Sequence, residues 1–360
     1  MNQNEILKIK NNCQFFLHGH YPLKPKQYFE EMYEHTSPNE EADRYGEGEA
    51  LQAFEHELKN IFGFEDCVFL QSGTMAQLIA MRIWTDLEKN SRIAFHPTCH
   101  LELHEQHAYK KLHGLSAELI GHKDQLMNIE DLKNLKEIPA AVIIELPQRE
   151  IGGQLPSWED LKKQISYLRS KNIKVHLDGA RVWECAPYYQ KTYQEITSLF
   201  DSVYISFYKG IGAIAGAALL GSSIFIKKAR VWNRRHGGNL ITAAPLYLSA
   251  RYNLKKRIHS FESFYKKTKE ICAVIATMEG ISINPKIPQV NMFHLMIKGD
   301  SNDLSKRVLE VAKEMGIWGF SNIKPSPVPE FSTLEWYVGD AALDIPLEKI
   351  KQYISRVLDR

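Results

Sequence analysis

An aspartate and a lysine stand 31 residues apart near the middle of the chain, each at the end of an apolar run. Asp178 occurs in V-H-L-D-G-A-R, and Lys209 occurs in S-F-Y-K-G-I-G. An apolar run that ends on charged or glycine residues predicts a buried strand with a polar side chain at its carboxyl end. We therefore expect both residues at one edge of a sheet, where α/β enzymes place their reactive groups.

These two residue types suit the chemistry of pyridoxal 5'-phosphate. A lysine between an apolar strand and a glycine-rich segment can attack an aldehyde and carry the cofactor as a Schiff base. A carboxylate beside the pyridine nitrogen keeps that nitrogen protonated, so that the ring withdraws electrons. Each residue taken alone also has an ordinary interpretation: Asp178 as a helix cap or a partner of Arg181, and Lys209 as a surface lysine at a strand end.

Two further stretches contain candidate ligands. Ser72-Gly73-Thr74 joins a predicted strand to a predicted helix, which presents backbone N–H groups to an anion, although Ser and Thr are also common N-caps. The histidines at 96, 100, 104 and 107 have helical spacing, which would align metal ligands. Because Pro97 argues against a continuous helix, we predict no metal site and favour one histidine that stacks on the cofactor ring.

Composition limits the class of protein. The 360 residues, 44% hydrophobic and 24% charged, suit a large globular domain with a smaller one. A balance of 45 basic against 43 acidic residues favours neither a nucleic-acid nor a membrane partner. The five cysteines are odd in number and lack a C-x-x-C motif, and the N-terminus lacks the apolar core of a signal peptide. We therefore expect no disulfide framework, no zinc site and a reducing, cytoplasmic setting.

Strand and helix signals alternate through the first two thirds of the chain. Apolar residues recur at helical spacing over Gly48–Gly63 and again over Thr74–Thr85. The predicted strands are Cys67–Leu70, Arg92–Phe95, Ala117–Ile120, Ala140–Leu146, Ile173–Leu177, Ser202–Ser206 and Ala213–Leu220. This alternation predicts an α/β fold with a mostly parallel, seven-stranded sheet and helices on both faces.

The pattern changes at both ends. Residues 1–45 are predicted to be irregular, because Pro22, Pro25 and Pro38 interrupt any long helix. The elements predicted after the sheet are helices Pro245–Lys267 and Thr268–Met278, strand Val290–Ile297, helix Asp303–Met315, strand Thr333–Val338 and helix Pro346–Leu358. We predict a large cofactor-binding domain over 46–249, a small α+β domain over 250–360, and a segment 1–45 that packs with the small domain.

Four stretches resemble, in order and spacing, motifs of the threonine aldolase and β-eliminating lyase family of fold-type I pyridoxal phosphate enzymes. They are Y-G-E-G before an amphipathic helix, F-L-Q-S-G-T-M-A-Q, H-L-D-G-A-R-V-W and S-F-Y-K-G-I-G-A. The resemblance covers nearly the whole chain. It implies that Lys209 forms the Schiff base, that Asp178 binds the ring nitrogen, and that Arg181 contacts the ring oxygen or a substrate carboxylate.

The same resemblance implies further contacts. Gly73 and Thr74, next to Ser72, would hold the phosphate, with Ser206 as another phosphate candidate. His100 falls where the family stacks a histidine on the ring near the substrate. The family also implies a homodimer or homotetramer with active sites at subunit interfaces, and an amino acid as its small-molecule substrate.

The chain departs from the family pattern in its substrate-binding segments. Gln148, in E-L-P-Q, replaces a histidine, and H-G-H-Y, beginning at His18, replaces an early R-S-D-T segment. Glu335 stands where the family has a late arginine for the substrate carboxylate. We therefore expect intact cofactor chemistry and altered substrate recognition, with His18, Gln148 and Arg181 as substrate candidates.

The resemblance implies a lyase that cleaves a β-hydroxy amino acid to glycine and an aldehyde, with Lys209, His100 and Asp178 as catalytic residues. β-Elimination stays open, because a glutamine at 148 cannot act as a general base. An aminotransferase, a racemase and a cofactor-binding paralogue without lyase activity also stay open. A nucleotide-binding oxidoreductase is disfavoured, because no G-x-G-x-x-G follows the first predicted strand.

Overall fold

A computed structural model describes residues 3–359, which form two compact units. The larger unit comprises residues 23–148 and 155–259, and the smaller unit comprises residues 3–22, 149–154 and 260–359. The domain boundaries expected at residues 45 and 249 stay a prediction, because compactness does not test which segments fold together.

Helices occur in both units. In chain order they are α1 Gln3–Asn12, α2 Pro25–Glu34, α3 Glu49–Phe62, α4 Gly73–Leu87, α5 His100–Leu103, α6 Ala108–His113, α7 Ile129–Lys133, α8 Trp158–Ser170, α9 Ala186–Tyr189, α10 Tyr193–Thr197, α11 Ser223–Arg235, α12 Ala244–Arg257, α13 Phe261–Ile275, α14 Ser301–Met315, α15 Asp340–Leu343 and α16 Leu347–Leu358. Within the described residues, none of these helices is long and apolar enough to span a membrane.

The strands form three sheets. In chain order they are β1 Phe15–Phe16, β2 Asp66–Leu70, β3 Arg92–Phe95, β4 Ser116–Leu119, β5 Ala141–Glu145, β6 Lys174–Gly179, β7 Ser202–Ser206, β8 Ala217–Gly221, β9 Ile281–Asn284, β10 Met292–Lys298, β11 Ile317–Trp318, β12 Lys324–Pro325 and β13 Phe331–Tyr337.

The larger unit is built on a seven-stranded sheet in the order β2-β8-β7-β6-β5-β3-β4. Every pairing in it is parallel except the two made by β8, which runs antiparallel to β2 and to β7. The predicted α/β fold with a mostly parallel, seven-stranded sheet is therefore confirmed. Since β8 reverses direction on both sides, β2 is parallel to β7, and the carboxyl ends of β2, β3, β5, β6 and β7 lie along one edge.

Helix α3 shows how the sequence makes an element of this unit. Its buried residues Leu51, Phe54, Leu58 and Phe62 recur at helical spacing and form one apolar face. The helix ends because Gly63 adopts a left-handed conformation with φ 72°, which a residue with a side chain rarely adopts. A core of aliphatic and aromatic side chains from α4, α11 and the sheet strands fills the unit.

The smaller unit contains an antiparallel sheet in the order β12-β13-β10-β9 and a two-stranded parallel pair of β1 and β11. Buried and half-buried residues alternate along β13, as expected of a strand with one face against a core. Side chains of α13, α14 and α16 form that core with β10 and β13.

Two predictions about secondary structure were wrong. Residues 1–45 are not irregular, because they contain α1 and α2, and Pro25 is the first residue of α2, where its missing N–H costs nothing. The break between the two helices after the sheet lies at residues 258–260 instead of 267–268. The break also separates two cores, because Leu254 on α12 belongs to the larger unit and Phe264 on α13 to the smaller one.

Candidate active site

Five parallel strand ends bring the candidate residues to one edge of the large sheet. The residues that follow or end these strands are Ser72 and Gly73 after β2, His96 after β3, Gln148 after β5, Asp178 on β6 and Lys209 after β7. They are separated by up to 137 positions in sequence and meet because parallel strands end on the same side.

Asp178 is a buried carboxylate on β6. Its side chain is 2% exposed, and Oδ1 accepts a hydrogen bond of 3.1 Å from the Ala180 N–H. No lysine or arginine among residues 3–359 forms an ion pair with it. A buried carboxylate without a cation is costly unless a ligand supplies the positive charge, and a protonated pyridine nitrogen is such a ligand. The residues at this position therefore fit pyridoxal 5'-phosphate.

Lys209 is half-buried three residues beyond β7. The loop after it is held by a buried polar stripe on α12 that consists of Ser249, Asn253 and Arg257. Arg257 Nη1 donates to the Ile211 carbonyl at 2.8 Å and also to Asn253 Oδ1. The Ile214 N–H donates to Ser249 Oγ at 3.1 Å, so the stripe fixes the backbone that carries the lysine.

The amino end of α4 has the geometry expected of a phosphate site, with one unexpected neighbour. Ser72 caps the helix, since its Oγ accepts from the Met75 N–H at 3.3 Å. A Cβ at Gly73 would lie 1.8 Å from the Tyr204 hydroxyl oxygen, so only glycine fits there. The same Cβ would lie 2.7 Å from the Tyr208 hydroxyl oxygen, so a second phenol lies beside this helix end. The Thr74 N–H has no hydrogen-bond partner within the described part of the chain.

His100 is held by a buried carboxylate. Its Nδ1 lies 2.8 Å from Glu105 Oε1, and the Glu105 side chain is 1% exposed. An ionised carboxylate only accepts, so Nδ1 carries the proton and Nε2 presents its lone pair. Within residues 3–359, Nε2 has no hydrogen-bond partner, which leaves it available as a proton acceptor.

Gln148 belongs to a buried network at the ends of β3 and β5. Its Nε2 donates to His96 Nδ1 at 2.6 Å and to Thr98 Oγ1 at 2.8 Å. His96 Nε2 in turn donates to the carbonyls of His122 and Gln125, both at 2.9 Å. Burial lowers the pKa of His96 and favours its neutral form. Both amide protons of Gln148 are thus engaged, and only its Oε1 is left to accept a hydrogen bond from a ligand.

Arg181 and Ser206 are tied to neighbouring protein groups. Arg181 Nε lies 3.9 Å from the buried Glu184 Oε1, and the arginine side chain is 14% exposed. The hydroxyl of Ser206 is fully buried and donates to the Ala180 carbonyl at 2.8 Å. This hydrogen bond joins the end of β7 to the residue that follows β6. The role of Ser206 as a phosphate ligand stays a prediction.

His18 and Glu335 both lie in the smaller unit. His18 is exposed, and its Nδ1 accepts from the Tyr337 N–H at 3.3 Å. Glu335 Oε2 lies 2.6 Å from Nε of Arg149, whose Nη1 also pairs with Glu150 at 2.9 Å. Position 335, where the family resemblance implies an arginine, thus carries a carboxylate. Within the smaller unit this carboxylate pairs with Arg149, which is distant in sequence.

Sequence reasoning missed Tyr208, Glu105 and Arg149. Tyr208 stands inside the S-F-Y-K motif, directly before the lysine, and it was assigned no role from the sequence. Glu105 lies five residues after His100, and a carboxylate so close to a candidate catalytic histidine was a usable signal. Arg149 carried no local signal, because its partner Glu335 is 186 residues away.

A family model described as beta-eliminating lyase matches residues 30–298 of the chain. A curated relative, low-specificity L-threonine aldolase 1 of Arabidopsis thaliana, is 24% identical over 285 residues, which cover 76% of this chain and 79% of that protein.

Two solved structures are similar over almost their full length. One, from Listeria monocytogenes EGD-E and provisionally named an L-allo-threonine aldolase, has 39% identity and a TM-score of 0.94, with 99% of this chain and 98% of that chain covered. The other, from Exiguobacterium sp. 255-15 and provisionally named an aromatic amino acid beta-eliminating lyase/threonine aldolase, has 36% identity and a TM-score of 0.94, with 99% of each chain covered.

Proposed function

Because the chain belongs to the beta-eliminating lyase family, whose members use pyridoxal 5'-phosphate, we propose that it is a lyase that cleaves a β-hydroxy-α-amino acid to glycine and an aldehyde. The observation that carries the proposal is Asp178, a buried carboxylate without a cation at the same sheet edge as Lys209. When bound, the cofactor supplies an electron sink for the bond to Cα that breaks.

Each of the other steps of the reaction is assigned to a side chain of this protein. Lys209 holds the cofactor covalently, and Asp178 keeps a proton on the ring nitrogen. His100 accepts the proton of the substrate β-hydroxyl at Nε2, because Glu105 holds the other ring nitrogen. Arg181 binds the substrate carboxylate with its guanidinium. Gln148 accepts a hydrogen bond at Oε1 from a substrate hydroxyl or ammonium, and His18 stays a sequence-based prediction.

β-Elimination from an aromatic or other β-substituted amino acid is the second candidate. Gln148 supports it, since both its amide protons are engaged by His96 and Thr98 and an amide does not accept a proton at neutral pH. In β-elimination Lys209 would remove the Cα proton, and the electron pair left at Cα would expel the β-substituent. The β-substituent then departs with its bonding electrons and needs no base at its own oxygen.

The test begins with the cofactor. The purified protein is expected to bind pyridoxal 5'-phosphate with a visible absorbance band, and Lys209→Ala is expected to lose the band while its circular dichroism stays that of a folded chain. L-threonine, L-allo-threonine and phenylserine are then supplied in turn, and glycine, aldehyde and ammonia are measured. Glycine with aldehyde supports retro-aldol cleavage, and ammonia with a keto acid supports β-elimination. A protein that binds the cofactor and turns over none of these would be a paralogue without lyase activity.

The setting of the enzyme is also part of the proposal. We infer a homodimer or homotetramer, in line with the exposed aromatic side chains of Phe29 and Tyr33 on α2, which are 63% and 86% exposed. Sedimentation of the purified protein measures this, and a monomer would contradict it. We infer a cytoplasmic location because the five cysteines are all free and buried, as a reducing compartment permits.

A further inference from the structure

Two tyrosine hydroxyls meet at the first residue of α4. The oxygens of Tyr204 and Tyr208 lie 3.1 Å apart, and a Cβ built at Gly73 would lie 1.8 Å from the first and 2.7 Å from the second. The helix end that the sequence assigns to a phosphate is therefore lined by phenol groups as well as by backbone.

Counting protons determines which hydroxyl donates. Tyr204 is 2% exposed, and its hydroxyl has no partner in residues 3–359 other than Tyr208. If Tyr208 donated to Tyr204, the proton of Tyr204 would be buried without an acceptor, which native structures avoid. Tyr204 therefore donates to Tyr208. The oxygen of Tyr208 therefore receives the hydrogen bond from Tyr204, and its own proton is left to donate.

Hydrogen-bond donors without an acceptor among the described residues lie together at the amino end of α4. Tyr208 is 37% exposed, so its proton can reach a ligand. The N–H of Thr74 lacks a partner within the described residues, and the Thr74 hydroxyl lies on the same residue. Burial, followed by smaller contributions from nearby carboxylates such as Asp178, raises the pKa of Tyr208, so the hydroxyl stays a donor at neutral pH. Free donors at a helix amino end suit an anion with several oxygens.

We propose that Tyr208 donates its hydroxyl proton to the phosphate of pyridoxal 5'-phosphate and that Tyr204 is the positioning residue that orients this hydroxyl. The inference rests on the proposed function only in taking that cofactor as the ligand. Tyr208 directly precedes Lys209, so one short segment holds the cofactor at its aldehyde and at its phosphate. Thr74 supplies a helix amide to the same phosphate.

Cofactor binding without turnover tests the proposal. The apoprotein and its Tyr208→Phe variant are titrated with pyridoxal 5'-phosphate and with pyridoxal, which lacks the phosphate, and the dissociation constants are measured by absorbance and tryptophan fluorescence. A hydrogen bond to a charged group predicts that Tyr208→Phe binds pyridoxal 5'-phosphate about 10- to 100-fold more weakly. Its affinity for pyridoxal is expected to change by no more than about twofold.

Three comparisons make the result specific. Tyr33→Phe, on an 86% exposed tyrosine, is the matched control and should bind both ligands as the wild type does. Tyr204→Phe should weaken binding of the phosphorylated ligand by a smaller factor than Tyr208→Phe. Inorganic phosphate should compete with pyridoxal 5'-phosphate for the site. It should weaken the apparent binding of pyridoxal 5'-phosphate to the wild type at lower phosphate concentrations than it does for Tyr208→Phe.

Each outcome has one meaning. Equal or tighter binding of pyridoxal 5'-phosphate by Tyr208→Phe would overturn the proposal, as would an equal loss for both ligands. If Tyr208→Phe fails to fold, as its thermal unfolding would show, Tyr204→Phe alone decides, and an unchanged preference for the phosphorylated ligand in that variant overturns the proposal. A wild type that binds neither ligand would contradict the proposed function instead.

Discussion

Nδ1 of His100 lies 2.8 Å from a carboxylate oxygen of Glu105, whose side chain is 1% exposed. This pairing orients the imidazole and, in the proposed function, leaves Nε2 as the nitrogen that meets the substrate. The second oxygen of Glu105, Oε2, is buried without a hydrogen-bond partner among the described residues. A carboxylate kept in such a place contributes charge to the histidine beyond what a neutral acceptor would.

Replacing Glu105 by glutamine keeps an acceptor for His100 and removes the charge. We expect Glu105→Gln to lower kcat about tenfold, because a hydrogen bond to a charged group exceeds a neutral one by roughly 1 to 1.5 kcal/mol. Cofactor affinity should not change. Steady-state kinetics with a β-hydroxy amino acid measure this. Glu102→Gln is the control, since Glu102 accepts from the Tyr109 hydroxyl instead, and wild-type kcat in Glu105→Gln would contradict the assigned role.

Stability should fall in acid because His176 is buried in its neutral form. Its ring bonds to Ser202 Oγ at 2.7 Å and Gln77 Oε1 at 3.0 Å, and burial lowers its pKa to about 3. Below the ordinary pKa of histidine, the unfolded chain takes up a proton that the folded chain does not. The free energy of unfolding is therefore expected to fall as pH decreases from about 6.5, by up to about 1.4 kcal/mol per pH unit from this group.

The variant His176→Gln separates this group from the others. The free energy of unfolding is measured with urea at pH 7, 5.5 and 4.5. His176→Gln should be less stable than the wild type at pH 7, and its stability should fall less steeply as the pH decreases. His56→Gln, on an exposed histidine, should keep the wild-type pH dependence. Parallel curves for His176→Gln and the wild type would show that His176 does not cause the acid instability.

Replacing Glu335 by the arginine that the family resemblance implies should destabilise the smaller unit. Glu335→Arg would place a second cation beside Arg149, where a 2.6 Å ion pair now stands, and we expect a loss of about 1 kcal/mol in the free energy of unfolding. The charge swap Arg149→Glu with Glu335→Arg should recover at least half of that loss. Urea unfolding in low salt measures both variants, and a swap no more stable than Glu335→Arg alone would exclude the ion pair as the cause.

The polar stripe on α12 should matter for stability and for holding the cofactor. Arg257→Lys removes the planar group that donates to Ile211 and Asn253, and we expect a loss of roughly 1 to 3 kcal/mol in the free energy of unfolding. The rate of cofactor release should also rise, because the loop after Lys209 loses a fixed contact. Arg234→Lys, on an exposed residue, is the control, and equal release rates for the two variants would refute the positioning role.

The sheet and the positions of Asp178 and Lys209 could be predicted from the sequence. Each residue ends or follows an apolar run that forms a strand, and because these strands are parallel, their carboxyl ends lie at one edge of the sheet. It did not predict the burial of Glu105, which depends on how a loop folds back onto the sheet. Helices α1 and α2 were also missed. Each has only ten residues, a length that is stabilised by tertiary packing more than by local propensity.

The antiparallel strand β8 lies between the strand that leads to the candidate phosphate-binding residues and the strand that leads to the candidate Schiff-base lysine. It lies between β2, which leads into Gly73, and β7, which leads into Lys209, and so separates them by two strand widths of about 4.8 Å each. A direct parallel pairing of β2 with β7 would halve that gap. The distance between Gly73, at the proposed phosphate site, and Lys209 is thus set by the sheet, and substitutions of side chains can change contacts at the site but not this distance.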